Sequence, residues 1–461
     1  MAKRFSVLAM ETVVLLTVAG TAASGVAASL GGSRVMAGTS VAQYVVVLKP
    51  GADRAAAEAE ARALGGDVFM QYSHALNGFA VRIPATALNG LERSPRVEFV
   101  EPDSEFTAAA APPTCPLDTR SGFPTQCVPP GAARIGAEES STRSGNGRSV
   151  ANVNVAVLDS GVDASHPDLH VVGGTTCTND KLAPTSDPGG HGTAVAGIIG
   201  ADDNGFGVVG VAPGANLYSV RVLDKNLVGN ISMVLCGVDW VTGTRTDTDP
   251  NNDIAVANMS LGAKGSNDGN CGRSNKDALH LAICNSVAAG VTYVVSAGNS
   301  SADLKDFVPA SYDEVLTATA MSDFDGQPGG LYAGTHCGGT DDTAASFSNF
   351  ATLIPDQAHT VGAPGVCVVS TVPVGWFLPD FATDYGIWTG TSFSSPHVAG
   401  TVALCIAESA CAGLSPPQIV QTIVSDARSY NSTHTSYGYQ GDPVRPFSGK
   451  YYGYLINTST Y

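Results

Sequence analysis

Three short runs constrain this chain more than anything else in it. Val155-Ala156-Val157-Leu158-Asp159-Ser160-Gly161-Val162 reads as a buried strand that ends in a carboxylate. His191-Gly192-Thr193-Ala194-Val195-Ala196-Gly197 reads as a helix start opened by an imidazole. Gly390-Thr391-Ser392-Phe393-Ser394-Ser395-Pro396-His397-Val398-Ala399-Gly400 sets a serine after a Gly-Thr pair and ahead of an apolar, small-residue helix. A nucleophilic hydroxyl needs that setting: a tight turn holds it outward, and a helix N-terminus favours developing negative charge. A single Asp, His or Ser is structural far more often than catalytic. Three of them, each inside its own run, point to nucleophilic catalysis by a hydroxyl with a paired base.

Strand-like and helix-like runs alternate through the same region, which predicts a parallel sheet with helices on both faces. The strand candidates are Val153–Leu158, Asn216–Val222, Ile254–Met259, Val291–Ser296 and Val315–Ala320. Tyr452–Asn457 reads as a closing run.

By these runs and their Asp–His–Ser order, the chain resembles the subtilisin-like serine proteases (peptidase S8), nearest the proteinase K branch. The resemblance implies an α/β, three-layer fold with a mostly parallel central sheet, occupying residues 129–461. It implies that Ser392 attacks the scissile carbonyl, His191 moves the proton, and Asp159 orients the imidazole. Asn299, in Ser296-Ala297-Gly298-Asn299, takes the role of oxyanion donor. Substrate peptides in this family bind extended against exposed edges. The matching segments are Leu227-Val228-Gly229 and Ser260-Leu261-Gly262, with Ser296, Ala297 and Gly298 on one wall of the primary pocket. Phe307 is expected at that pocket's floor, which favours apolar or aromatic side chains; Asp303 and Asp306 nearby leave a basic preference open.

A second unit precedes the peptidase region. Gln43–Leu48 reads as a strand, Ala52–Leu64 as a helix, Ala75–Ile83 as a strand with a turn at Asn77-Gly78, Leu88–Arg93 as a short helix and Val97–Asp103 as a last strand. This small α+β, ferredoxin-like unit, residues 42–107, resembles the inhibitor-type (I9) propeptide of the same family. The resemblance implies an intramolecular chaperone and inhibitor, and polypeptides as the other partners. Residues 108–128 read as linker and mature N-terminal segment, from the Ala108–Pro113 run, with processing between about Asp103 and Pro113. Residues 1–28 read as a secretory signal: Lys3 and Arg4, an apolar stretch, then Val26-Ala27-Ala28. The expected product is a secreted, extracellular monomer without a membrane anchor.

A formal charge of −17 argues against nucleic acid and anionic membranes as partners. The ten cysteines form no C-x-x-C pair, so a zinc site is not expected, and an even count behind a signal reads as disulfides. Neighbour pairing gives Cys115–Cys127, Cys271–Cys284, Cys337–Cys367 and Cys405–Cys411, leaving Cys177 with Cys236. A structural Ca2+ is the one cofactor expected, with no organic cofactor. It takes about six to eight oxygens on glycine-rich turns. By the family resemblance Asp168 and Asn204 give side-chain oxygens, and Asp202, Phe206 and Val208 give carbonyls. The Asp247–Asp253 run reads as a solvated loop rather than a second site. A decayed, non-catalytic scaffold would have lost one of Asp159, His191, Asn299 or Ser392. A serine-carboxyl peptidase would have a glutamate base, against which His191 in its Gly-Thr context argues.

Overall fold

The computed structural model describes residues 41–108, 126–332, 337–376, 384–407 and 410–461. The N-terminal unit runs β1 (Val41–Leu48), α1 (Arg54–Ala63), β2 (Asp67–Tyr72), β3 (Gly78–Pro84), α2 (Leu88–Glu92) and β4 (Val97–Pro102). Its sheet order is β2-β3-β1-β4, with β1 antiparallel to both neighbours. Asp53 caps α1 by accepting from Ala56 N. Ala57 and Ala61 then face Val46, Leu48, Phe79, Val81 and Ile83 in one small core. The expected strand at Ala75 begins instead at Gly78, since the N–H groups of Ser73, His74 and Ala75 donate to the Asp239 carboxylate and not to a strand neighbour. Residues 73–77 are thereby left as a loop.

The remainder holds β5 (Glu105–Ala108), α3 (Pro130–Arg134), β6 (Asn154–Asp159), β7 (Val171–Thr176), α4 (His191–Gly200), β8 (Asn216–Arg221), β9 (Val228–Asn230) and α5 (Ile231–Thr244). It continues through β10 (Val256–Met259), β11 (Leu261–Lys264), α6 (Ala278–Ala288), β12 (Thr292–Ser296), β13 (Phe307–Val308), β14 (Leu316–Ser322), β15 (Thr343–Ala344) and α7 (Ile354–Gln357). It closes with β16 (Thr360–Val366), β17 (Val368–Thr371), β18 (Tyr385–Trp388), α8 (Thr391–Ala407), α9 (Pro416–Thr433) and β19 (Tyr454–Leu455). The central sheet has the order β19-β16-β14-β12-β10-β6-β8-β7, all parallel, with β15 added antiparallel to β14. One core packs α4, α8 and α9 on one face; the other packs α5 and α6 on the opposite face. The three-layer α/β arrangement expected from the alternation is therefore present.

Each of the five strand candidates lies in this sheet, and Tyr454–Leu455 of the closing run pairs at its edge. β7, β15 and β16 are additional. β16 carries Gly362, Pro364 and Gly365, residues that normally argue against a central strand. Gly365 is needed there, since a Cβ would lie 2.2 Å from Ser394 Oγ. Four of the expected disulfides are formed: Cys177–Cys236, Cys271–Cys284, Cys337–Cys367 and Cys405–Cys411. Cys115, the expected partner of Cys127, lies outside the described residues, as does the signal segment.

Candidate active site

Parallel strands all end on one rim of the sheet, and that rim collects the chemistry. Asp159 is the last residue of β6, His191 the first of α4, and Ser392 the second of α8; all three are fully buried. His191 Nδ1 lies 2.8 and 2.9 Å from the two Asp159 carboxylate oxygens. That bond fixes the tautomer and leaves Nε2 as the basic nitrogen. His191 Nε2 has no protein hydrogen-bond partner among the described residues, and Ser392 Oγ donates to Ser260 O at 3.1 Å. Hydroxyl-to-imidazole bonds of this kind commonly tighten only with substrate in place. Gly192 lets the helix start this close to β6: a Cβ would meet Gly161 O at 2.0 Å.

A carboxylate that the sequence reading missed holds the helix start. Asp187 is buried and accepts from Ser160 Oγ, Gly190 N, Thr193 N and Thr193 Oγ1 at 2.6–2.8 Å. Burial pushes its carboxyl pKa up, and the Thr193 and Ser160 bonds oppose this. The signal was available: an Asp just ahead of a helix start is a capping residue.

Pro396, inside α8, has no N–H to give the carbonyl of Ser392 four residues earlier. Ser260 Oγ donates to that carbonyl at 2.7 Å instead. The turn carrying Ser392 is thus tied to β11's entry. Asn299 Oδ1 accepts from Thr391 N at 2.9 Å and from Thr391 Oγ1 at 2.8 Å, while Gly298 N donates to Thr391 Oγ1. Thr391, also missed, sets Nδ2 as the donor end of Asn299, one residue from Ser392.

A pocket of about 270 Å³ lies beside this corner. Gly262, Ser296, Ala297, Gly298, Asn299 and Phe307 line it, so the expected wall residues do come together. Phe307 forms part of its lining. Asp303 and Asp306 are not in the lining; Asp303 accepts from Thr352 and pairs with Lys305 at 3.3 Å.

The segments Leu227–Gly229 and Ser260–Gly262 face each other across a gap that the chain itself fills. β5 pairs antiparallel with β9 (Phe106 with Gly229, Thr107 with Val228) and antiparallel with β11 (Thr107 with Gly262, Ala108 with Leu261). Ala108, read from sequence as the start of a linker, is the end of a strand. Leu227 holds a left-handed backbone (φ 62°) at this rim, a strained conformation for a branched residue.

The N-terminal unit docks through carboxylates. Asp103 accepts from Ser232 N and Oγ at the start of α5, and Glu101 accepts from Ala278 N at the start of α6. Asp239, on α5, accepts from Ser73, His74 and Ala75 N, the loop left by the late start of β3. Burial and the neighbouring Asp277 push the Glu101 carboxyl up to about 8.

The expected cation loop is assembled around Asp168. Its oxygens accept from Asn204 Nδ2, Val208 N and Tyr385 OH at 2.8–3.1 Å. Gln126, not singled out from sequence, donates Nε2 to the carbonyls of Asp202 and Val208, at 2.8 and 3.2 Å. Gly207 has no room for a Cβ, which would lie 2.0 Å from Tyr385 Oη and 2.6 Å from Asp168. Amide N–H groups thus bridge Asp168 and the carbonyls of Asp202 and Val208, while Asn204 Oδ1 accepts from Phe206 N and Gln126 Oε1 from Gly205 N. In the Asp247–Asp253 loop, Asp247 and Asp249 bond to backbone N–H groups of the loop itself.

Comparison with known sequences agrees with this geometry. A sequence model of the subtilase family matches residues 151–440, and one of the peptidase inhibitor I9 family matches residues 43–109. Subtilisin amylosacchariticus of Bacillus subtilis subsp. amylosacchariticus is 32% identical over 347 residues, 75% of this chain and 74% of its own. Subtilisin DY of Bacillus licheniformis is 35% identical over 286 residues, 61% of this chain and 86% of its own. The thermostable alkaline protease of Halalkalibacterium halodurans is 31% identical over 364 residues, 78% of this chain and 80% of its own.

Proposed function

Since this chain belongs to the subtilase family and is a serine-type endopeptidase carrying an I9 propeptide, we propose that it is a secreted zymogen that cleaves itself and then hydrolyses polypeptides through Asp159, His191 and Ser392. His191 Nε2 takes the Ser392 proton as Oγ attacks the scissile carbonyl. The tetrahedral oxyanion is met by Asn299 Nδ2 and the backbone N–H of Ser392. Collapse expels the amine, which takes the proton back from His191, and leaves an acyl-enzyme. Water then repeats the sequence with His191 as base. Asp159 stays ionised throughout and stabilises the imidazolium.

The observation that carries this reading is β5. A segment in the position of a substrate strand lies between Val228–Asn230 and Leu261–Lys264, and Ala108 pairs one residue away from Ser260, to which Ser392 is bonded. The bond to be cut follows closely, between Ala108 and Pro113. Residues 42–107 then act as chaperone and inhibitor, and the catalytic monomer begins beyond the cut. Extracellular placement rests on the N-terminal signal pattern and the disulfides. Among the described residues no helix is long and apolar enough to cross a membrane.

A calcium ion suits the Asp168 cradle. Both Asp168 oxygens, the side-chain oxygens of Asn204 and Gln126, and the carbonyls of Asp202, Phe206 and Val208 would hold it, within the range of about six to eight that calcium takes. Bound there, it supplies structural closure between the loop after α4 and the mature N-terminal segment, and no catalytic step.

The test is mass spectrometry after fluorophosphonate treatment, beside a Ser392→Ala control. An adduct on Ser392 with a new N-terminus between Ala108 and Pro113 is expected. A folded, trypsin-nicked chain that still takes no label would sink the proposal.

A further inference from the structure

The pocket beside Asn299 carries one charge. Of the residues lining it, only Lys264 is ionisable. Lys264 ends β11 and pairs across the strands with Phe307 of β13, so both side chains share a face. Its Nζ sits 3.8 Å from the Phe307 ring centroid, a cation–π arrangement that holds the ammonium at the pocket instead of letting it sweep through solvent. No carboxylate among the described residues forms an ion pair with it, whereas its neighbour Lys305 is paired with Asp303. The rest of the wall, Gly262, Ala297, Gly298 and Val308 among it, is neutral and small or apolar.

We propose that Lys264 makes this pocket prefer, in substrates cleaved after the propeptide is released, an acidic side chain, glutamate above all, at the residue whose carbonyl is attacked; the propeptide's own bond, with alanine or proline there, is cut because β5 already holds the strand in place. The inference rests on the pocket's being the primary substrate subsite, as argued above. A glutamate entering between Gly262 and Gly298 can carry its carboxylate to the ammonium over Phe307 while its methylenes lie on the ring. The chain's net charge of −17 opposes acidic substrates only at long range. At physiological salt such charges are screened beyond about 8 Å, so the local cation decides. The pocket thereby departs from the apolar or aromatic preference expected of Phe307 alone.

The test compares kcat/KM on four peptide p-nitroanilides that differ only in the last residue: Glu, Gln, Phe and Lys. Lys264 is exposed, so the processed enzyme should favour Glu over its neutral isostere Gln by about fivefold, the upper end for a solvent-exposed ion pair. Lys264→Met keeps the packing on Phe307, and its Glu:Gln ratio should fall to about one. Lys264→Glu should favour Lys over Gln. High salt should shrink the wild-type ratio and leave that of Lys264→Met unchanged. A Glu:Gln ratio equal in wild type and Lys264→Met, with the Phe peptide still cleaved, overturns the inference and leaves the protease reading intact. Failure to cleave any peptide, with Ser392 unlabelled, overturns both.

Discussion

The rim at α4 and the docking surface at α5 and α6 solve the same problem with the same groups. In each, a carboxylate satisfies the unpaired N–H groups of a helix start. At α4 the carboxylate is Asp187, buried, a few residues ahead of the helix and permanent. At α5 the N-cap Asn230 makes no side-chain capping bond, and Asp103 reaches in from the N-terminal unit to supply it. At α6 the resident cap Asp277 is already in place, accepting from His280 N, and Glu101 arrives as a second carboxylate on the same turn. On the function proposed above, the difference separates a support of the catalytic residues from a partner that is to leave. A cap that belongs to the domain stabilises it at all times, whereas a cap lent by the propeptide stabilises only the precursor.

The comparison can be broken first at the catalytic carboxylate. Asp159→Asn should lower kcat on the order of 10⁴-fold, because an amide favours the wrong imidazole tautomer. Its denaturation midpoint should move little. Steady-state kinetics beside a urea titration will separate the two, and a loss of only tenfold would remove Asp159 from the role given to it.

Asp187→Ala should come next. It strands Ser160, Gly190 and Thr193 donors in the interior, at roughly 1–3 kcal/mol for each left unsatisfied, offset where neighbours relax. The loss should appear equally in precursor and processed enzyme. Asp103→Ala should cost about 1 kcal/mol, the usual worth of an N-cap, and only in the precursor. Urea midpoints of the uncut Ser392→Ala chain and of processed enzyme test both. If Asp103→Ala left the midpoint of the uncut Ser392→Ala chain unchanged, Asp103 would not be supplying the cap at α5.

How much of this could be read from the chain follows from how local each interaction is. Asp159, His191, Ser392 and Asn299 sit in runs whose own residues specify a strand end, a helix start or a tight turn, so type and setting are legible together. The parallel sheet was legible for the same reason, through apolar runs such as Asn154–Asp159. Asp239 and Gln126 were not, because their partners lie far along the chain: Asp239 meets Ser73 and His74, and Gln126 meets Asp202 and Val208. β16 was hidden by Gly362, Pro364 and Gly365, which local propensity places in turns; here Gly365 makes room for Ser394 of α8 and Gly362 for the Tyr439 hydroxyl. The edge segments were legible, but what fills the gap between them was not, since nothing in Glu105–Ala108 marks it as a strand apart from its destination.

The smallest expected effect tests the lent cap most directly. Glu101 is held up to about 8 by burial and by Asp277 beside it, against an ordinary 4.5, so the docked form binds a proton that the undocked chain releases. A carboxyl whose folded pKa is raised contributes its full stability below about pH 4.5, loses it as pH rises toward 8, and loses no more above. Asp103 and Asp277 are shifted the same way by burial, and Asp323, far from the docking surface, is pushed up to about 8 as well. His359 and His397, lowered to about 4 by burial, act in the opposite sense, but below pH 6.5. A bare pH profile would mix all of these, and the informative quantity is the difference between the Ser392→Ala chain and the same chain with Glu101→Gln. Glutamine keeps an acceptor for Ala278 N and removes the charge. Between pH 5.5 and 8.5 the melting temperature of the parent should fall relative to the Gln variant by on the order of a few degrees. Parallel curves would mean that Glu101 is docked without electrostatic cost. A parent whose melting temperature rises relative to the Gln variant with pH would reverse the sign and assign the burden to another group. The expected result makes alkalinity a force that loosens the propeptide from α6; Asp187, whose carboxyl burial also pushes up, is common to both chains and drops out of their difference.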